Sequence, residues 1–578
     1  MTRHPIAATL VTFASLGLLA GCGGPRPADL VITNGHVVTV DDAVPEAQAI
    51  AIADDTIIAV GSVDDIHRYV GRHTQVIDAG GKLVIPAFIE GHGHFMGLGE
   101  SKLELDLTKA RTWNDIVDMV ADAAAGAKPG AWIVGRGWHQ EKWDHPPSPN
   151  VDGTPVHTSL SARTPDYPVY LTHASGHMSF VNAKAMQLAG ITRASHDPAG
   201  GTIVRDRRGD PTGLLRETAQ ALASTILDQW RSRRTPAEID AERHRVVRLA
   251  GQEALSKGIT TFHDAGEPFA TIDLFRQMAD DGELPERLYV MVADNAVVRL
   301  EDELPKYRMI GYGHNFLTVR TIKEYMDGAL GSHGAWMLEP YTDMPSTSGL
   351  NVTSLDHIRR IADLALKDDF QLATHAIGDR ANRTVLDIYQ AAFQAAGVDG
   401  KARRWRIEHA QHLTLQDQPR FAQLGVIAAM QAVHCTSDGP WVPKRIGDKR
   451  AAEESYMWRN LIDSGAVVAN GTDVPVEDTN PIPNFYAAVT RRMSDGRQFY
   501  PDQVMTREEA LRSYTINNAY AAFEENIKGS ITPGKLADID ILSKDIMTIP
   551  AEQIPDARVE YTILGGKVVY RAETQEGA

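Results

Sequence analysis

Cysteine is almost missing from this chain: only Cys22 and Cys435 occur among 578 residues, too few for a cysteine-rich metal site. There is no long Lys or Arg run, and the formal net charge of -17 opposes nonspecific attraction to nucleic acid, which is excluded as a partner. No apolar run reaches the ~20 residues that a membrane-spanning helix needs. Repeats of fixed period and low-complexity segments are absent as well. What remains is ordinary globular composition, 43% hydrophobic and 23% charged, on a chain long enough for a large core and more than one domain.

The longest apolar stretch lies at the N-terminus. Arg3 and His4 precede Ile6 to Ala20, and Leu19-Ala20-Gly21-Cys22 follows. This is the pattern of an export signal, and LAGC is similar to a bacterial lipoprotein cleavage site. We therefore expect residues 1–21 to be removed and Cys22 to be lipidated. Gly23 after it favours an outer-membrane protein facing the periplasm, with a periplasmic or cell-surface location as the alternative. A simply secreted or uncleaved signal is the plainer reading. With Cys22 lipidated, Cys435 is the only thiol and no internal disulfide forms. The membrane is then a partner only through the anchor, and the oligomeric state stays open, a dimer included.

Beyond a linker over 22–28, DLVITNGHVVTV and AIAIADDTIIAVG alternate in strand fashion around turn residues, and VEYTILGGKVVYR near the other end does the same. Residues 29–82 and 526–574 are expected to complete one β-sandwich. Between them, over 83–525, apolar strands alternate with amphipathic helices such as Ser354 to Asp368 and Ala381 to Ala395, the pattern of parallel β/α units. The strand candidates are LVIPAFI, GITTFHDAG, RLYVMVA, LTVRTIKEYMDG, QLATHAIG, RWRIEHAQ, VIAAMQAVH and AVVANGTD. The fold class expected is α/β: a (β/α)8 barrel of TIM type, a composite β-sandwich from both chain ends, and a large insertion after the first barrel strand. The insertion, about 99–245, is too long for one crossover and covers the barrel mouth.

The stretch PAFIEGHGHF places His92 and His94 one residue apart. With 21 histidines, chance supplies roughly 0.8 such pairs, so the pair means little alone. Catalytic side chains of β/α barrels gather at the C-terminal ends of strands. His92 and His94 follow the first strand, His375 ends QLATHAIG, His409 ends RWRIEHAQ, Asp473 ends AVVANGTD, and Lys323 lies in VRTIKEYMDG. Neutral imidazoles and carboxylates suit Zn²⁺. A desolvated lysine amine can take up CO₂ and bridge two ions as a carbamate. Water shared by the ions ionises near neutral pH, giving a zinc-bound hydroxide as nucleophile, and Asp473 can accept its proton and pass it to a leaving amine. The plainer role for Lys323 is a structural ion pair with Glu324 or Asp327 on the barrel rim.

PAFIEGHGHF, IKEYMDGALGS, THAIGD, IEHAQ and NGTDVPV together resemble the metal-dependent amidohydrolase superfamily, in its amidohydrolase-3 branch of N-substituted formamide deformylase-like proteins. The resemblance covers nearly the whole mature chain. It implies a binuclear zinc centre with His92 and His94 on one ion, His375 and His409 on the other, carbamylated Lys323 bridging, and Asp473 as ligand and catalytic base. It also implies an enzyme that hydrolyses a carbon–nitrogen bond other than a peptide bond in a small molecule. Two departures stand out: Ala87 replaces the Gly that commonly follows the first motif's Pro, and His333 stands where relatives often carry Arg.

Weaker candidates for contacting substrate are His177, Glu217, Trp138 and His333. His173, His139 and Trp143 lie near them in sequence. His263 and Asp264 read as ligand-orienting groups or as core polar residues, and Asp379 with Arg380 as a structural pair. Alternative functions are a D-aminoacylase-like, dipeptidase, ester or cyclic-amide hydrolase of the same superfamily. From another class, a surface lipoprotein that binds a ligand or zinc without catalysis remains.

Overall fold

The computed structural model describes residues 26–294 and 296–573. The expected signal segment and Cys22 lie outside the described residues. No helix among the described residues is long and apolar enough to cross a membrane.

Alternating apolar residues build the two-sheet domain. Thr56–Gly61, Ala49–Ala53, Leu30–Thr33 and Gln75–Asp78 form one sheet. Leu83–Pro86 lies in the second, antiparallel to Ile539–Leu542, so the two ends of the chain share a ladder. Leu30, Ile32, Ile50 and Ile52 meet Ile539, Ile541 and Ile563 in the core between the sheets.

The run LVIPAFI, expected as a single barrel strand, is two strands in two domains. Pro86 has no N–H to continue a ladder. At Ala87 the backbone N–H donates to Asp538 of the sandwich side (3.0 Å), and at Phe88 it donates to Gly258 of the barrel (3.0 Å). The chain changes sheets between these residues.

The barrel strands are β1 (Phe88–Gly93), β2 (Ile259–Glu267), β3 (Arg287–Val292), β4 (Leu317–Tyr325), β5 (Gln371–Ala376), β6 (Arg406–His409), β7 (Ile427–Met430) and β8 (Val468–Asn470). Each pairs in parallel with the next in this order. β8 returns to β1 through Asp473 N–H to the His92 carbonyl and His94 N–H to the Val474 carbonyl, both 2.7 Å. The Asn518 amide spans the seam, donating to Ile89 (2.7 Å) and Asn470 (2.8 Å). Gly91 is required here: a Cβ would lie 2.4 Å from Asn518 Oδ1 and 2.5 Å from the Asn470 carbonyl.

Crossover helices follow the local signals. Ser354 caps Leu355–Lys367 by accepting the His357 N–H (3.3 Å), and Asp379–Ala396 ends at left-handed Gly397. The inserted region carries its own six-stranded sheet and its own apolar clusters. It ends earlier than expected: Thr235 forms a capping box and Pro236 opens the helix Pro236–Ser256, which leads back into β2.

Candidate metal centre

Strand alternation puts Glu90, His92 and His94 on one face at the end of β1. Glu90 is fully buried and fastens the seam. Its carboxylate accepts Thr472 N–H (2.6 Å), Thr472 Oγ–H (2.8 Å) and His92 N–H (3.2 Å). A Cβ on Gly471 would lie 2.4 Å from Glu90 Oε1, so glycine in NGTD makes room for this fastening. The same turn holds Asp473 at a positive φ of 58°, a strained backbone of the kind that collects at functional sites.

Asp473 Oδ1 lies 3.3 Å from His94 Nε2 and 3.5 Å from His92 Nε2. The three side chains can offer ligand atoms within 4.8 Å of one another. Asp473 also completes a second such group, with His409 and His434. The His375 ring is 4.5 Å from that of His409, and the His409 ring is 4.8 Å from that of His92. Lys323 is buried and lines the same cleft as His94, His375, His409 and Asp473. The rim ion pair considered for Lys323 is not formed. Glu324 pairs with His357 (3.1 Å), and Asp327 accepts the N–H groups of Trp336, Ile377 and Gly378. Lys323 Nζ instead reaches the Ala265 carbonyl at 3.5 Å and lies over the Tyr325 ring.

The surrounding groups set which imidazole nitrogen faces inward. His92 Nδ1 bonds Glu408, which Arg406 grips at 2.7 and 2.9 Å, and His409 Nδ1 bonds Gln431 Oε1 at 2.8 Å. With Nδ1–H donating outward, each Nε2 carries its lone pair toward the centre. Burial would raise the Glu408 carboxyl, but Arg406 and His92 hold it well below the usual range. Burial pushes His375 and His409 well below ordinary histidine, so both are neutral at pH 7.

The donor set fits a divalent ion. His92 Nε2, His375 Nε2, His434 Nε2 and Asp473 Oδ1 are buried in this small volume without a hydrogen-bond partner among the described residues. Buried polar atoms are rarely left so. Imidazole lone pairs around a shared carboxylate are what zinc-like ions bind.

Comparison with known proteins agrees with this site. The model of the amidohydrolase family matches residues 75–570. The chain belongs to that family. Protein LONG AFTER FAR-RED 3 of Arabidopsis thaliana is 33% identical over 94% of this chain and 92% of its own length. N-substituted formamide deformylase of Arthrobacter pascens is 26% identical, covering 94% and 98%. An uncharacterized metal-dependent hydrolase of Pyrococcus horikoshii superposes with a TM-score of 0.70 at 25% identity, covering 90% of this chain and 99% of that one. Family membership and the ligand-ready cluster make the chain a metal-dependent hydrolase.

The weaker candidates separate in this family member. His177 faces the cluster, its ring 5.3 Å from that of His375. Its Nδ1 bonds Glu217 Oε2 at 2.8 Å, and against the effect of burial Glu217 raises the His177 pKa. Glu217 therefore acts through His177 and lines neither cavity at the cluster. Trp138 does not line them either: it is fully buried, donates to the Leu171 carbonyl (3.0 Å) and packs with Trp143, His173 and Phe180 in the insertion core. His333 is turned to Asp343 (3.1 Å) and Tyr341, outside both cavities. His263 bonds Arg406 (3.2 Å) and Asp264 accepts the Phe95 N–H (3.1 Å), so both support the ligand strands from below. Asp379 accepts the N–H groups of Leu338 and Arg380, a structural role.

His434 was missed, although it ends the segment VIAAMQAVH and passes the same strand-end filter as the others. Glu90 and Glu408 were missed too. Period-two spacing from His92 signals Glu90, whereas nothing local marks Glu408 as the partner of a histidine 316 positions away.

Proposed function

We propose that the chain hydrolyses a carbon–nitrogen bond, amide-type but not peptide, in a small-molecule substrate at a centre of two divalent ions, zinc first among the candidates. His92, His94, His375, His409 and Asp473 would hold the ions, with His434 beside His409, and Lys323 would bridge them once its neutral amine has added CO₂ and released a proton. The observation that carries the reading is the convergence of partnerless buried imidazole and carboxylate atoms at one rim of the barrel. The family match supports it, and the likeness to a relative named N-substituted formamide deformylase supports the bond type. A bound divalent ion supplies Lewis acidity and makes its water easy to ionise.

The chain's own groups do the rest. Asp473, the carboxylate at the rim, accepts the proton of the attacking water and delivers it to the leaving nitrogen. The His177–Glu217 pair can present a proton to the carbonyl oxygen as charge develops there. A surface protein that merely stored metal would need neither Asp473 on a strained backbone nor the His177–Glu217 pair. We also place the protein outside the cytoplasm, held at the outer membrane through Cys22.

The test is metal analysis with a panel of N-acyl amino acids, formamides and cyclic imides. Asp473→Asn should abolish turnover while largely preserving metal content, and an unchanged kcat removes Asp473 as base. Lys323→Ala should lower the metal stoichiometry, and a variant holding two ions removes the bridge.

A further inference from the structure

Two cavities leave the cluster in different directions and share Ser175, His177, His375, His409, Asp473 and Val476 in their walls. One, the smaller, runs toward Leu330, Ile377, His139 and Trp441. The other, the larger, runs between His94 and Lys323 on the barrel side and Arg136, Tyr170 and Arg231 on the insertion side. A scissile bond at the cluster thus has its two substituents sent into different chemistry. The first cavity joins the apolar walls of Leu330, Ile377 and Trp441 to Asp438 and to Lys142, whose charge Glu477 meets at 3.3 Å. Besides Lys323 of the cluster, the second holds a cation on the insertion side without an ion-pair partner among the described residues.

That cation is Arg136. Its guanidinium donates to the Ala174 carbonyl at 3.1 Å, and its Nε is buried without a partner. No carboxylate among the described residues is in ion-pair contact with it. The neighbouring Arg231, by contrast, is engaged with Glu104 at 3.2 Å. Of the acidic groups that share the cleft, Asp473 of the cluster, Glu104 and Glu100 act on Arg136 only at longer range, and Asp228 lies 4.0 Å from Arg231. Arg136 is half-buried, with one N–H donor buried and unpaired and the guanidinium face that lines the cleft free to take an anion.

The backbone is built to aim this side chain. Strand alternation would put Arg136 and Trp138 on one face, but the ladder from Ile133–Trp138 to Val169–His173 shifts register between them. Gly137 takes a φ of 105° at the shift, and a Cβ there would lie 2.5 Å from Thr108 Cγ2. The bulge sends Trp138 into the insertion core and leaves Arg136 on the cleft.

Resting on the hydrolase reading above, we infer that the second cavity is a carboxylate-binding subsite with Arg136 as its anchor, so that the substrate carries a carboxylate on one side of the bond cleaved. A planar guanidinium matches a carboxylate through two parallel hydrogen bonds. A more highly charged phosphate would meet Glu100 and Glu104 in the same cleft. The anchor comes from the insertion while the metal ligands come from the barrel, so recognition and chemistry lie on separate parts of the chain.

The experiment uses the metal-loaded full chain and matched pairs: N-acetyl, N-formyl and N-benzoyl amino acids, each against its own carboxamide. The acid should exceed the amide in kcat/KM by about 10- to 100-fold, the range of a charge-assisted pair. Arg136→Met should bring that ratio near one, chiefly through KM, and Arg136→Lys should restore part of it. Wild-type turnover with no acid preference, or a preference that survives Arg136→Met, overturns the subsite and leaves the hydrolase standing. If no member of any pair is turned over, the hydrolase reading is what fails. The subsite is then judged by the shift of Tm with N-acetylglycine: a rise in wild type that Arg136→Met loses upholds it, and an equal shift in both proteins or none in either overturns it.

Discussion

Glu408→Gln is the sharpest test of how the metal ligands are oriented. Glu408 and Arg406 are both fully buried, with Oε1 taking Arg406 Nε at 2.7 Å and Oε2 taking Arg406 Nη2 at 2.9 Å as well as His92 Nδ1. All of these partners are donors. Glutamine replaces one acceptor oxygen with NH₂, so whichever way the amide turns, a donor meets a donor. If the NH₂ faces Arg406 Nε, the buried guanidinium loses its counter-charge and half its fork, a loss of about 3–5 kcal/mol for a broken buried pair. If it faces His92, the ring must accept at Nδ1 and carry its proton on Nε2, the atom that lies 3.5 Å from Asp473 Oδ1. That tautomer cannot ligate, and losing such an orienting partner typically costs ~10–100-fold in metal affinity. The assay is zinc competition against a chromophoric chelator, with urea unfolding of the metal-free protein alongside. A variant that binds zinc as wild type does and unfolds within about 1 kcal/mol of it, less than an ordinary core substitution costs, would refute the orienting role.

Three further outcomes follow from the same structure. Burial lowers His412 to about 3, while the unfolded side chain titrates near its ordinary value of 6.5. The unfolded state therefore binds more protons below pH 6.5, and His412 contributes stability above that pH that is lost as pH falls toward 3, at up to about 1.4 kcal/mol per pH unit. His412→Gln should flatten that limb of a urea-unfolding series, and an unaltered slope assigns the loss elsewhere. Trp138→Ala should destabilise by about 3–5 kcal/mol as a core truncation without changing the acid-to-amide preference, and a changed preference would return Trp138 to the substrate wall. Cys22→Ala should move the protein from the membrane fraction to the soluble one, and unchanged partition removes the anchor.

Local pattern carried much of the site. Two-residue spacing in PAFIEGHGHF marks one face of a strand, and the ends of QLATHAIG, RWRIEHAQ and AVVANGTD lie at one rim because every parallel strand of a β/α barrel points the same way. His434 satisfied that rule and needed only to be counted. Pro86 shows where local reading stops: the apolar run is continuous through it, and the change of partner from Asp538 to Gly258 depends on segments hundreds of residues away. Trp138 shows it again, since a glycine bulge beside Thr108 reverses the face that alternation assigns.

The amino-acid sequence by itself determined the barrel, its composite sandwich and the residues that converge on the rim, because periodicity and strand ends are local properties repeated along the chain. The tertiary structure alone decided which nitrogen of each histidine faces the centre, that Glu217 works through His177, and that Arg136 stands without a counter-ion in the cleft. Those facts are pairings across long separations in a buried, low-dielectric space, and whether a charge has a partner is set only when the whole chain has closed around it.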